Sequence, residues 1–400
     1  MPWSELIDES LERDMVEWRR HIHANPELSF KEHVTTGFIA ELLADWDVVS
    51  ERPLETGVVA RLKGAGPGAR VALRADIDAL PIIEQNTFDF VSGNPGVMHA
   101  CGHDGHTAIL LGVTRVLARL QGRFKGVIVL LFQPAEERLN GGAQGFLAAG
   151  ALEGVDAALG LHLWSGMETG RVSARSGPVF ASTDEFKITL RGRGGHGAYP
   201  HQATDSVVAG AHIVTQLQTL VSRRVDPLAP AVVTVGSFHA GTAFNIIPDR
   251  AELVGTVRTL SPTAREQVRQ ELDRMVVAGA AALGVSAEVD YTQGNPVLVN
   301  DHEISALVRA AAQGVVKESS LVQEPPAMGG DDFAFIAERI PSCYFMVGAG
   351  NEDVGSKFPH HHPQFTIDEA ALSVGARVLL DSVERALRTL EPAGVAPSTG

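Results

Sequence analysis

The chain has 400 residues, is 44% hydrophobic and 20% charged, and carries a formal net charge of -15, which suits two soluble domains with real cores and argues against nucleic acid or an anionic membrane as the main partner. Its two cysteines, Cys101 and Cys343, exclude a disulfide framework. No apolar run approaches the ~20 residues of a membrane span and the N-terminus lacks a charged-then-apolar signal pattern, so a cytoplasmic protein is expected.

Ser4 to about Ile22 reads as an amphipathic helix, with Leu6, Ile7, Leu11, Met15 and Trp18 at helical spacing and Ser4 as the candidate N-cap. A second helix is expected from about Lys31 to Trp46. Gly57 to Leu62 and Arg70 to Arg74 read as strands, the latter leading into Asp76-Ile77-Asp78-Ala79-Leu80-Pro81. Then comes the densest cluster of metal-binding side chains, His99-Ala100-Cys101-Gly102-His103-Asp104-Gly105-His106. Thr107 to Leu120 is helical, and the Asp104 carboxylate suits its N-terminal end. Gly126 to Phe132 reads as a strand buried on both faces and ends in Gln133-Pro134-Ala135-Glu136-Glu137; Ala157 to Leu163 is similar and carries His162. Strands alternating with helices predict a largely parallel sheet. Polar residues at the carboxyl ends of its strands sit where such folds place their sites.

The pattern then changes. Strands at Glu185 to Arg191, Ala231 to Phe238, Ala251 to Arg258 and Val285 to Tyr291 interleave with helices at Thr204 to Val221 and Pro262 to Leu283. This β-α-β-β-α-β order is ferredoxin-like. From Asp301 the first pattern resumes: a helix to about Val316, a Gly-rich turn at Met328 to Asp332, a strand at Cys343 to Val347, a loop at Gly348 to Gln364, and a helix from Asp368 to about Leu387. The tail Glu391 to Gly400 is expected to fray. The expected fold class is therefore α/β. A mixed, largely parallel sheet flanked by helices spans 1–181 and 295–400, with an inserted ferredoxin-like α+β domain at 182–294.

Cys101 and His103 stand two apart across a glycine, and a turn there lets both grip one ion; thiolate and imidazole suit zinc and other borderline metals. Glu136 and Glu137 follow a strand and a proline, so both can turn inward, one to ligate and one to move a proton. His162 ends an apolar strand and His360-His361-His362 form a second cluster. His196 lies in the glycine-rich Gly194-Gly195-His196-Gly197, a loop able to carry a donor over a site. Asn245 and Arg258 are polar candidates of the inserted domain, and an arginine can grip a carboxylate through two parallel hydrogen bonds.

Six motifs in order, from Arg74-Ala75-Asp76-Ile77-Asp78 through His99 to His106, Pro134 to Glu137, Gly160-Leu161-His162, Gly194 to Ala198, and Phe244-Asn245-Ile246-Ile247-Pro248-Asp249, resemble the two-metal aminoacylase and carboxypeptidase superfamily. The nearest branch is the amidohydrolases of N-acyl-amino acids, such as hippurate and indoleacetyl-amino-acid hydrolases. The resemblance implies a metallopeptidase-like catalytic domain and two divalent metal ions (zinc or manganese, with cobalt or nickel also accepted) held by Cys101, His103, Glu137, His162 and His361. It implies Glu136 as general base and His196 as oxyanion donor, in cis or in trans. Asn245 and Arg258 would hold the substrate carboxylate, with Asp76 and Asp78 in support. It further implies a small-molecule N-acyl-amino acid substrate and a homodimer or higher homo-oligomer built through the inserted domain. Two departures stand out: His360 replaces the family's leucine before the last histidine ligand, leaving His360 and His362 as alternatives to His361, and Asp331 replaces a glutamate. Rival readings are a metallo-dipeptidase or aminopeptidase of the same superfamily, a cysteine hydrolase using Cys101 as nucleophile, and a non-catalytic binding protein.

Overall fold

The computed structural model describes residues 2–139 and 141–390; the expected frayed tail lies outside the described residues. After a 3-10 turn at Trp3–Leu6 come helices α1 (Glu9–Ala24) and α2 (His33–Asp45), then strands β1 (Ser50–Glu51), β2 (Val58–Lys63) and β3 (Arg70–Asp76). Next are α3 (His103–Arg119), β4 (Val127–Gln133), α4 (Gly142–Ala148), β5 (Ala157–Glu168), β6 (Val172–Ser173) and β7 (Gly177–Phe180). The middle of the chain forms β8 (Ser182–Arg191), β9 (Gly195–His196), α5 (Ser206–Thr219), β10 (Ala231–Ala240), β11 (Ile246–Ile247), β12 (Arg250–Thr259), α6 (Pro262–Ala282), β13 (Ser286–Gln293) and β14 (Leu298–Asn300). It closes with α7 (His302–Val315), α8 (Phe333–Ala337), β15 (Ser342–Gly350) and α9 (Ala370–Thr389).

These elements form two compact units. The first takes the described residues up to Gly177, Val299–Pro325, and those from Asp332 onward; the second takes Pro178–Leu298 and Pro326–Asp331. The inserted segment expected at 182–294 is thus wider here and gains a return strand of chain. The reason is main-chain bonding: Ala327 N–H donates to Val179 O at 2.9 Å, and Ala181 N–H to Gly329 O at 2.8 Å.

In the first unit a seven-stranded sheet runs β1-β2-β4-β3-β5-β15-β6. Its centre, β4, β3, β5 and β15, is parallel; β1, β2 and β6 pair antiparallel at the edges. Leu73, Leu130, Leu159 and Phe345 on the parallel strands are fully buried, as strands covered on both faces require. Helix α1 buries Leu11, Met15 and Ile22. It lies so close to α3 that a Cβ on Gly112 would stand 2.4 Å from Met15 Sδ. Its N-cap is Asp8, whose side chain accepts from Leu11 N–H at 2.8 Å, and not Ser4, whose hydroxyl instead donates to the buried Asp381 carboxylate at 2.8 Å. Among the described residues, no helix is long and apolar enough to cross a membrane.

The second unit is a four-stranded antiparallel sheet in the order β10-β12-β8-β13. Alternate residues Phe186, Ile188 and Leu190 of β8 and Ala251, Leu253 and Val257 of β12 form one core with Ala209, Ile213 and Leu217 of α5 and Val268, Leu272 and Val276 of α6. The period-2 and period-3.6 patterns meet on one face, which is what closes a two-layer α+β unit.

Candidate metal centre

The site grows from the carboxyl ends of β3, β4 and β5 and the start of α3. Gly102 takes a left-handed conformation, φ 94°, which a glycine adopts at no steric cost. The turn lets α3 begin at His103, four residues earlier than the sequence pattern suggests, so His103, Asp104 and His106 ride on its opening turns. Beyond β4, Ala135 also turns left-handed, φ 54°, swinging Glu136 and Glu137 off the strand.

Asp78, fully buried past the end of β3, ties these pieces together. Its Oδ1 accepts from Glu136 N–H at 3.1 Å and lies 3.2 Å from His103 Nδ1; its Oδ2 accepts from Glu137 N–H at 3.1 Å and from the Ser29 hydroxyl at 2.7 Å. The Asp78 carbonyl is a further 3.0 Å acceptor for His103 Nδ1. With its Nδ1 proton so committed, His103 has Nε2 left to turn toward the centre. Burial opposes the charged imidazole, but Asp76 and Asp78 outweigh it and raise the His103 pKa well above the ordinary value.

Ligand atoms of Cys101, His103 and Glu137 lie within 4.8 Å of one another, and those of Cys101, His162 and His360 do the same. Cys101 therefore belongs to both sets. The Cys101 Sγ to His162 Nε2 distance is 3.6 Å, which matches the roughly 3.6 Å that tetrahedral zinc with a ~2.3 Å bond to sulfur and a ~2.05 Å bond to nitrogen would impose. His162 Nδ1 is held by the Leu163 carbonyl at 2.9 Å. Burial, and then His106 and His360, push its pKa well below the usual range, so its ring is neutral. The same causes, burial first, then His106 and His361, take His360 down to about 3.

His361 approaches from the other side. Its Nε2 is 3.2 Å from Glu137 Oε1, and hydrogen bonding to Cys101 and Glu137 raises its pKa to about 10. Its backbone is left-handed, φ 66°, and its N–H donates to Ala100 O at 2.7 Å, binding the loop to the residue before Cys101. His362 is turned away, stacked on Phe358 at 4.4 Å, with Nδ1 accepting from Gln364 N–H. Glu136 stands outside both sets, its Oε2 3.9 Å from His103 Nε2.

The donor set fits a cation. His103 Nε2 is buried and makes no hydrogen bond, a condition that costs about 1–3 kcal/mol unless something binds there. Burial, and next the Glu137 charge, push the Cys101 thiol up; a bound ion reverses this by deprotonating a coordinating thiol.

Two histidines of the first cluster stand outside both sets that share Cys101. His106 gives Nδ1 to Asp76 at 2.6 Å and accepts Leu163 N–H on Nε2 at 2.9 Å, so both nitrogens are used. His99 is 1% exposed and packs toward His23. The sequence reading missed Arg74, which grips Asp76 at 2.7 Å, Asp332 at 2.7 Å and Gln133 at 3.0 Å. Arginine and aspartate two apart on a strand share a face, and that spacing was the available signal.

In the second unit, His196 and Asn245 lie together and exposed: β9 pairs with β11, and Gly197 N–H donates to Asn245 O at 2.8 Å. His196 Nδ1 accepts from Ala198 N–H at 3.0 Å. Arg258 is not with them. Along β12, Arg250 faces Arg191 whereas Arg258 faces Thr183, so eight steps at about 3.3 Å put Arg258 roughly 26 Å from the His196 end of the sheet.

Residues 72–385 match the family described as peptidase family M20/M25/M40. The chain is 49% identical over 299 residues to an N-acyl-L-amino acid amidohydrolase of Geobacillus stearothermophilus, covering 74% of this chain and 80% of that protein. It is 40% identical over 384 residues to an N-acetyl-L-cysteine deacetylase of Bacillus subtilis, covering 96% and 90%. A solved Bacillus subtilis structure, described as a dinuclear metal binding peptidase from the M20 family, is 35% identical with a TM-score of 0.85, covering 96% of this chain and 100% of that one.

Proposed function

The chain belongs to peptidase family M20/M25/M40 and is a metal-dependent amidohydrolase of linear amides, and from that premise we propose that it cleaves N-acyl-L-amino acids, hippurate-like or related conjugates, to a carboxylic acid and a free amino acid. The observation that carries this reading is the pair of donor sets sharing Cys101, with the Glu136 carboxylate beside them but in neither. Binding alone needs no carboxylate placed beside the two sets that share Cys101. In this reading Cys101, His103, Glu137, His162 and His361 hold two divalent ions. Thiolate, imidazole and carboxylate donors accept zinc or manganese, and also cobalt or nickel. The reading sets the enzyme in the cytoplasm, where Cys101 stays reduced.

Two divalent ions held by these residues would supply Lewis acidity toward the amide carbonyl and toward water, whose pKa such ions lower from ~16 toward ~7. Glu136 takes the proton of the attacking water and passes it to the leaving amine nitrogen. Asp78 fixes the His103 ring and the main chain of both glutamates while this proton moves. His196, whose Nδ1 is occupied by Ala198 N–H, keeps Nε2–H as the donor for the developing oxyanion; such a donor is worth about 3 kcal/mol. Arg258 and Asn245 hold the substrate carboxylate. Arg258 lies at the Thr183 end of the four-stranded sheet, whereas His196 follows its Arg191 end on β9 of a separate two-stranded sheet, and this reading takes them as too far apart to reach one small substrate from the same copy. The reading therefore has His196 and Asn245 acting in trans, in a homodimer made through the second unit.

The test is a panel of N-acetyl, N-benzoyl and N-indoleacetyl amino acids alongside free dipeptides, each assayed with zinc, manganese, cobalt and nickel. Turnover of acylated amino acids is expected, and Glu136→Gln should keep its metal while losing about 10²–10⁴-fold in kcat. Turnover of dipeptides alone would overturn the substrate assignment.

A further inference from the structure

His103 Nε2 and His360 Nδ1 share one condition: each is buried and makes no hydrogen bond. The first belongs to a residue already read as a ligand, and the second does not. His360 is packed edge-on to His162 at 5.0 Å, and against Trp164 at 4.7 Å and Phe365 at 4.9 Å. That packing fixes the ring where a ligand atom of His360 lies within 4.8 Å of those of Cys101 and His162. An imidazole held this way loses no further rotamer freedom on binding an ion, and a buried nitrogen without a partner gains the contact it lacks.

We propose that His360 supplies a sixth protein donor to the centre, in addition to His361, so that Cys101 lies between a softer set, Cys101–His162–His360, and a harder one, Cys101–His103–Glu137 joined by His361. This rests on the reading of the metal centre given above. Two consequences follow from ligand chemistry. The sulfur–nitrogen–nitrogen set favours zinc or cobalt, whereas the carboxylate of the other set also admits manganese. The two positions therefore fill in sequence and can hold different metals. Ligation through Nδ1 leaves the proton on Nε2, so the long 3.3 Å contact from Ser165 N–H to His360 Nε2 opens when metal binds.

The experiment reads the metal rather than turnover. Cobalt titration of the metal-stripped wild type should show two unequal equivalents, with sulfur-to-cobalt charge transfer already present at the first. His360→Leu and His360→Gln should weaken the tighter equivalent roughly tenfold or more and alter its ligand-field bands. Histidine-ring ¹⁵N spectra of the wild type with and without zinc give a measurement independent of any variant's folding: His360 Nδ1 should move to the position of a metal-bound nitrogen. An unmoved resonance, or both variants binding two cobalt ions as tightly as wild type, overturns the sixth donor. Cys101→Ser separates the two failures. If it loses cobalt while the His360 variants do not, only His360's role falls; if it too binds two ions normally, the centre itself is misassigned and this inference falls with it.

Discussion

Asp78→Asn is the sharpest test of how the centre is held. Asp78 Oδ1 serves His103 Nδ1 and Glu136 N–H, and Oδ2 serves Glu137 N–H and the Ser29 hydroxyl. An asparagine must turn its NH2 toward one of these pairs. Facing Oδ2's partners is the milder choice, because Ser29 can rotate to accept while only Glu137 N–H loses its acceptor. One buried N–H left unpaired costs about 1–3 kcal/mol, and the loss falls on the main chain of the ligand Glu137. Losing such a support typically lowers metal affinity about 10–100-fold, or roughly 1.4–2.7 kcal/mol. Chelator competition and zinc titration of Asp78→Asn should therefore show weakened binding, with most activity returning at saturating metal because Glu136 is chemically intact. Wild-type affinity combined with activity that stays lost at saturating metal would refute the argument, since Asp78 would then act on the reaction and not on the ligands.

Two further outcomes follow from the geometry. His196→Ala and Arg258→Ala, each nearly inactive alone, should recover about a quarter of wild-type activity when co-expressed, because half the dimers are mixed and each mixed dimer has one intact site of two; no recovery would refute action in trans. His23 is buried between Asp104 Oδ2 at 2.8 Å and Glu84 Oε1 at 3.1 Å; burial opposes its charge, but Asp104 and Glu84 raise its pKa above the ordinary value. A raised folded-state pKa gives stability that is complete below about pH 6.5 and is lost as pH rises through the folded value. The gap in Tm between wild type and His23→Gln should therefore shrink from about pH 6 to about pH 9, and a constant gap would contradict the pairing.

What could be read from the sequence was what repeats locally. The apolar runs of β4 and β5 and the amphipathic faces of α1, α5 and α6 carry their own period, so their existence and the ferredoxin-like order of the second unit were legible. Boundaries set by single residues were not. The start of α3 depends on Gly102 turning left-handed, and the true N-cap of α1 depends on Ser4 finding Asp381, nearly the whole chain away. Neither leaves a mark in a window of neighbours. The short helices α4 and α8 were likewise invisible, being too brief to show a period. The return of Pro326–Asp331 to the second unit is a long-range pairing of the same kind.

The histidine and carboxylate cluster shows why composition identifies a site before it identifies the ligands. Between positions 99 and 106 three histidines, a thiol and a carboxylate compete for the same reading, and the structure sorts them by what else each one touches. Asp104 is paired with Arg19 at 2.8 Å and with His23, and Asp76 with Arg74 and His106. Burying such charges is costly unless each is matched, and here Arg19 and His23 of α1 reach Asp104 of α3 while His106 of α3 reaches Asp76 of β3. That arithmetic is spatial, and it leaves scaffold groups satisfied at every lone pair they use. Matching is incomplete at Cys101 with its raised thiol and at His103 with its orphaned Nε2, and a cation lowers the free energy there. That criterion, taken together with proximity to Cys101 and His162, leaves His106 out of the proposed ligand set and brings His360 into it, although no spacing rule distinguishes the two in the sequence.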